Sequence, residues 1–146
     1  MKKRVISCLT VLAVLLTVSA TAATDTRQKL DFPPMMRDHM LANMRDHLLA
    51  LSEIQQLMAT EEYATAAEVA EQRLGLSSLD NHGAAHMAQM MPQEMREIGT
   101  GMHQAASQFA ITVVDASTDN DLKPALGALA KVTQQCIACH SAYRVH

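Results

Sequence analysis

Near its end the chain reads CIACHSAYRVH, with Cys136 and Cys139 three residues apart and His140 directly after the second. Two thiols beside an imidazole can serve three kinds of chemistry. A thioredoxin-like redox pair needs a βαβ setting and a place at a helix N-terminus, where the dipole lowers a thiol pKa. A zinc site needs a fourth ligand, usually with a second cysteine pair. His82 or His86 could be that ligand, but the only other cysteine is Cys8. The third chemistry is covalent attachment of a c-type haem. There each thiol adds to one vinyl group, and the adjacent histidine reaches the iron from the same helical turn.

The elements around the motif separate these readings. No window alternates as a half-buried strand does, and helical spacing recurs four times. A first helix is expected after Asp31-Phe-Pro-Pro, with Asp31 as cap and Leu41, Met44, Leu48, Leu51, Gln55 and Met58 as its apolar stripe. A second, about 61–74, puts Tyr63, Ala66, Ala70 and Leu74 on one face and stops at Gly75. A polar connection, about 76–91, contains DNHGAAHMAQMM. Pro92 opens a third helix with Met95, Ile98, Met102, Ala105, Phe109 and Val113 aligned, and STDND ends it. Gly99 and Gly101 weaken that helix locally and suggest close approach of a neighbour. The fourth, about 121–143, aligns Leu122, Leu126, Leu129, Thr133, Cys136, His140 and Tyr143. The expected fold is therefore all-α, an antiparallel four-helix bundle. Cys136, Cys139 and His140 then share the buried face near the end of the last helix. That context excludes the redox pair and favours covalently attached haem, with His140 as proximal iron ligand.

Composition agrees. There are 11 methionines but only two Phe, two Tyr and no Trp. A core so poor in aromatics has room for a flat apolar group supplied from outside. At the other end, MKKR followed by VISCLTVLAVLLTVSATAA has the basic start, short apolar run and small residues of a bacterial secretory signal peptide. Cleavage is expected after Ala22, leaving 23–146 as one periplasmic domain with no membrane attachment. Removal of Lys2, Lys3 and Arg4 leaves nine basic against fifteen acidic residues, a net charge of −6 with neutral histidines. Such a surface repels nucleic acid and anionic lipid, so neither is an expected partner.

CIACHSAYR near the end of a four-helix chain resembles the haem-binding signature of the cytochrome c-prime family, which includes low-spin, methionine-ligated relatives. The likeness spans nearly all of 23–146. It is specific at 136–144, moderate from Arg37 to His47 and weak between. It implies thioether links at Cys136 and Cys139, His140 on the iron, Arg144 near the haem edge, and a homodimer through the first two helices. Arg37 resembles the arginine of the family's first helix, four residues before the position facing the open side of the iron. That position is Leu41. Arg37 and Arg144 also suit the haem propionates, because guanidinium pairs with carboxylate in a fixed fork.

The sixth iron position decides the function. In an up-down bundle the end of the last helix lies beside the start of the first. At ~1.5 Å per residue the matching level is therefore around residues 39–44. Met40 is the first candidate for a distal ligand and Met44 the second, with His39 and His47 behind them. Asp38 to His39 and Asp46 to His47 read more simply as solvated polar faces. Thioether ligation gives a six-coordinate iron suited to carrying single electrons between redox partner proteins. If Leu41 covers the iron instead, the site is five-coordinate and admits a small neutral gas such as nitric oxide or carbon monoxide. A rival of another class is copper handling by HMLANM and HGAAHMAQMM, whose thioethers and imidazoles suit Cu(I). Enzymatic oxygen or peroxide chemistry would need a polar distal acid-base group over open iron, and the expected stripe turns His39 and His47 partly away. The protein is read as a carrier or gas binder, not an enzyme.

Overall fold

A computed structural model describes residues 24–146, so the expected signal peptide, 1–22, lies outside the described residues. The described chain is mostly helical: β1 (Gln28–Lys29), α1 (Pro34–Ala59), α2 (Tyr63–Arg73), α3 (Ala84–Ala88), α4 (Gln93–Asp119), α5 (Lys123–Ala142) and β2 (Tyr143–Arg144), with a single 3-10 turn at Leu76–Ser78.

Proline opens all three long helices. Pro33 and Pro92 flank α1 and α4 at φ −52° and −54°, and Pro124 lies in the first turn of α5. A ring that fixes φ and lacks an N–H loses nothing where the helix has no partner for that N–H. Asp31, expected as the cap of α1, makes no such bond; Pro33 holds that place. Asn120, in the left-handed region at φ 52°, closes α4. The 76–91 connection is more ordered than its polarity implies, since the 3-10 turn and α3 both fall inside it.

α4 packs on α5 and on α2, and α2 packs on α1. The contacts are made largely by alanine. Ala50, Ala66, Ala70, Ala106 and Ala125 are fully buried around Phe109, Ile54 and Val113. Small residues let the helices approach closely, which is how a chain with so few aromatics closes this half of its interior. A second cluster, Leu30, Met40, Met87, Met95 and Tyr143, fills the opposite end with flexible thioethers.

The buried face of α1 is turned from the one expected. It comprises Met40, His47, Ala50, Ile54 and Met58, whereas Leu48 is 70% exposed. On α5, Leu129 is buried as expected, but Leu126 is exposed, and Ala125, Ala128 and Val132 are buried instead. Tyr143 has left the helix. It pairs in parallel with Gln28 in a two-residue bridge, and Leu30 N–H donates to the Arg144 carbonyl at 2.8 Å. This bridge ties the segment before α1 to the end of α5.

Candidate functional site

The last two turns of α5 carry Cys136, Cys139 and His140 onto one wall of a cavity of about 430 Å³. Facing walls come from α1, through Met40, Met44 and Leu51, and from α4, through Met95, Ile98 and Met102. The volume lies within the range of pockets that hold small molecules and cofactors, about 300–1,000 Å³. Gly99 forms part of the α4 wall, and a Cβ there would meet nothing within 4 Å. Leu48 stands at the same cavity although it is largely exposed. The stripe Met44, Leu48 and Leu51 thus borders this space, and Leu51 also packs against the alanine-rich core. Apolar walls, a missing side chain and half-buried thiols together fit a flat apolar group.

Both cysteines are free and half-buried. Burial raises the Cys136 thiol pKa, and burial together with the neighbouring Cys136 raises that of Cys139. The Cys136 thiol donates to the Val132 carbonyl at 3.5 Å. At a helix C-terminal end these thiols lack the dipole stabilisation of a thiolate that a redox pair needs. His140 is exposed on the helix, at the edge of the cavity, and its carbonyl accepts from Arg27 Nη1 at 3.3 Å.

On the opposite side, Met40 is buried at 6% exposure and Met44 is half-buried; both line the cavity. Leu41 is half-buried but lies off the cavity wall, as do Arg37 and Arg144. Arg37 is exposed and pairs with its neighbour Asp38 at 3.3 Å. Arg144 places Nε 3.5 Å from Asp25 Oδ2 and donates from Nη1 to the His146 carbonyl at 2.7 Å. His39 is engaged elsewhere, its Nε2 lying 2.9 Å from the His82 carbonyl, and His86 is exposed away from the cavity.

The cavity also has a polar end that the sequence reading missed. His47 of α1, His82 of the connection and His103 of α4 line it together. Their ring centres are 4.7 Å apart for His47 and His82, 5.6 Å for His82 and His103, and 6.2 Å for His47 and His103. His103 Nδ1 lies 2.7 Å from the Leu74 carbonyl. A carbonyl only accepts, so Nδ1 carries the proton and Nε2 keeps its lone pair in the neutral ring. Ser78, fully buried, donates to the Gly75 carbonyl at 2.7 Å and leaves lone pairs for His82 Nδ1 at 3.3 Å. His47 Nε2 is buried without any hydrogen-bond partner. Burial, then the nearby His82 and His103, push the His47 pKa down to about 4; burial and His103 also lower that of His82. Gly83 explains how His82 arrives there. At φ 61° it makes a left-handed turn, and the His82 carbonyl then accepts from Asn43 Nδ2 at 3.1 Å as well as from His39.

A signal for this cluster existed. His47, Ala50, Ile54 and Met58 recur at steps of three and four, as do His103, Ala106, Ala110 and Val113. Counting histidine as a buried residue type would have revealed both. Among the described residues, no group of three or more His, Cys, Asp or Glu stands ready to hold a metal ion, and no helix is long and apolar enough to cross a membrane. No protein-family model matches the chain, and neither a curated protein nor a solved structure matches it.

Proposed function

We propose that the protein is an exported, periplasmic c-type cytochrome with one haem per chain, working as a single-electron carrier between redox partner proteins, and that its helices form an antiparallel four-helix bundle around that haem. The observation that carries this reading is the position of CIACH. Its two neutral thiols and its histidine stand on the wall of α5 that bounds an apolar cavity, with Met40 and Met44 on the wall opposite. When bound, haem supplies a one-electron redox centre whose potential its axial ligands and surroundings tune.

The residues of the chain have separate tasks. Cys136 and Cys139 would hold the porphyrin edge by thioether bonds, and His140 would bind the iron. Met40 would be the preferred distal ligand, because it is buried and lines the cavity that Cys136, Cys139 and His140 also border. Met44 is the second choice. A soft thioether opposite imidazole favours the ferrous state and raises the potential. The methionine-lined walls exclude water, which limits reorganisation of polar surroundings when the charge of the site changes. Arg144 and Arg37, both off the cavity wall, would reach propionates only by leaving their present carboxylate and carbonyl partners. A second copy of the chain would cover Leu48 and Leu49, which α1 leaves exposed.

The rival reading is reversible binding of nitric oxide or carbon monoxide at five-coordinate iron. It needs an apolar side chain over the iron, and Leu41, the residue aligned to that role, lies off the cavity wall. The visible spectrum of the reduced protein with and without carbon monoxide decides between them. Sharp low-spin bands unmoved by the gas, and sensitivity to the gas only in Met40→Ala, are expected. A wild-type Soret band that shifts with carbon monoxide makes the protein a gas binder. A colourless protein that retains copper ends the haem reading altogether.

A further inference from the structure

We propose that His47, His82 and His103 form a binding site for one cuprous ion at the inner end of the cavity. The site uses none of the residues of the α5 motif but lies on the same cavity. Three imidazoles from three separate segments meet there: α1, the 76–91 connection and α4. Imidazoles sharing one ion through metal–nitrogen bonds of about 2.0–2.1 Å have ring centres roughly 5–6 Å apart. The observed separations of 4.7, 5.6 and 6.2 Å bracket that value.

Two of the rings are already oriented as metal ligands usually are, with one ring nitrogen bonded to a protein acceptor so that the other keeps its lone pair. Leu74 does this for His103 through its carbonyl, and Ser78 does it for His82 through its hydroxyl. The third, His47, has a buried Nε2 with no partner, a costly arrangement unless something fills it. The three rings do not yet converge, and among the described residues no coordination shell is preformed. The proposal therefore requires the His47 ring to rotate when the ion binds. The Cβ–Cγ torsion of histidine has a broad profile, and no hydrogen bond holds Nε2 of His47 in its present direction.

Charge and softness select the ion. The three rings are neutral ligands, and the nearest carboxylate, Asp46, is engaged by Arg73 in a pair that bridges α1 and α2. A divalent cation in an apolar site without a bound anion has a desolvation cost that grows with the square of its charge. A monovalent ion suffers far less. The approach is lined by the thioethers of Met44, Met87, Met91 and Met102, which prefer Cu(I), and imidazole also suits copper. This accounts for part of HGAAHMAQMM: His82, Met87 and Met91 reach the cavity, while His86 does not.

The test is anaerobic titration of the mature protein with Cu(I) in competition with a chromogenic cuprous chelator. Its thiols are alkylated first if intact mass shows them unmodified, since free cysteines would bind copper themselves. One ion retained per chain is expected in the wild type and in His86→Ala. His47→Leu should lose retention. Ser78→Ala, which removes only the hydroxyl behind His82, should weaken affinity about tenfold while leaving the helical circular dichroism unchanged. Complete stripping of copper from the wild type overturns the proposal. So does retention that is equal in wild type, His47→Leu and Ser78→Ala, because the ion would then sit on other groups. The mass measurement reports on haem separately, so failure of either reading is visible without the other.

Discussion

Replacing His47 with leucine is expected to remove a pH dependence of stability that the wild type shows on mild acidification. The imidazole is buried among His82 and His103, with Asp46 and Arg73 nearby, and its pKa falls from 6.5 to about 4. The native ring therefore binds a proton less readily than the unfolded ring. Between those two values the unfolded state holds more protons, so stability declines as pH falls. It is fully present above about 6.5, decreases towards about 4, and flattens below. The difference of about 2.5 pKa units corresponds to roughly 3 kcal/mol, with a slope of up to about 1.4 kcal/mol per pH unit inside the window. His82 acts with the same sign. Asp46 is held below the usual carboxylate range by Arg73, so its own contribution is lost only at lower pH. The assay is urea unfolding of chelator-treated protein at a series of pH values from 7 to 4, for wild type and His47→Leu. The variant should show a shallower slope by roughly the stated amount. Equal slopes would mean that the ring is solvated and charged in the native state, and the described burial of the cluster would be wrong.

Two further outcomes follow from the packing. Phe109 is fully buried and is the largest such side chain in the alanine-rich half of the core. Phe109→Ala should destabilise by about 3–5 kcal/mol, read from urea midpoints, because its neighbours are too small to collapse into the void. Gly83→Ala places a Cβ in a left-handed turn at φ 61°, 3.3 Å from His39 Nε2. It should cost about 1–2 kcal/mol and lower the thermal midpoint, whereas Gly99→Ala, facing open space on the cavity wall, should fold normally.

The helices were legible because proline marks their starts and their apolar spacing is regular; the stripe of α4, from Met95 through Met102 and Phe109 to Val113, lies buried where expected. On α1 the periodicity of Leu41, Met44, Leu48 and Leu51 was real, but two apolar stripes run along this helix. One, with Ala50 and Ile54, packs in the core, and Met44, Leu48 and Leu51 border the cavity. A count of hydrophobic spacing cannot rank two such faces. Leu126 misled for a related reason: in a core built by close approach, alanines at Ala125 and Ala128 occupy the contact and the larger residue is left outside. The spacing of CIACH left three chemistries open, and what the structure adds is the motif's place on the cavity wall near the end of α5. Of the histidine cluster, His47 and His103 fall on the buried periodic faces of α1 and α4, but His82 was not readable, because it arrives through a left-handed turn at Gly83 that no periodic pattern encodes.

Intact mass of the mature chain, isolated from a host that matures c-type cytochromes, bears most directly on the proposed role of α5. The account predicts a polypeptide heavier by one haem, with the addition mapping to the peptide that holds Cys136 and Cys139. A mass equal to that of the unmodified chain, with both thiols open to alkylation, would contradict it.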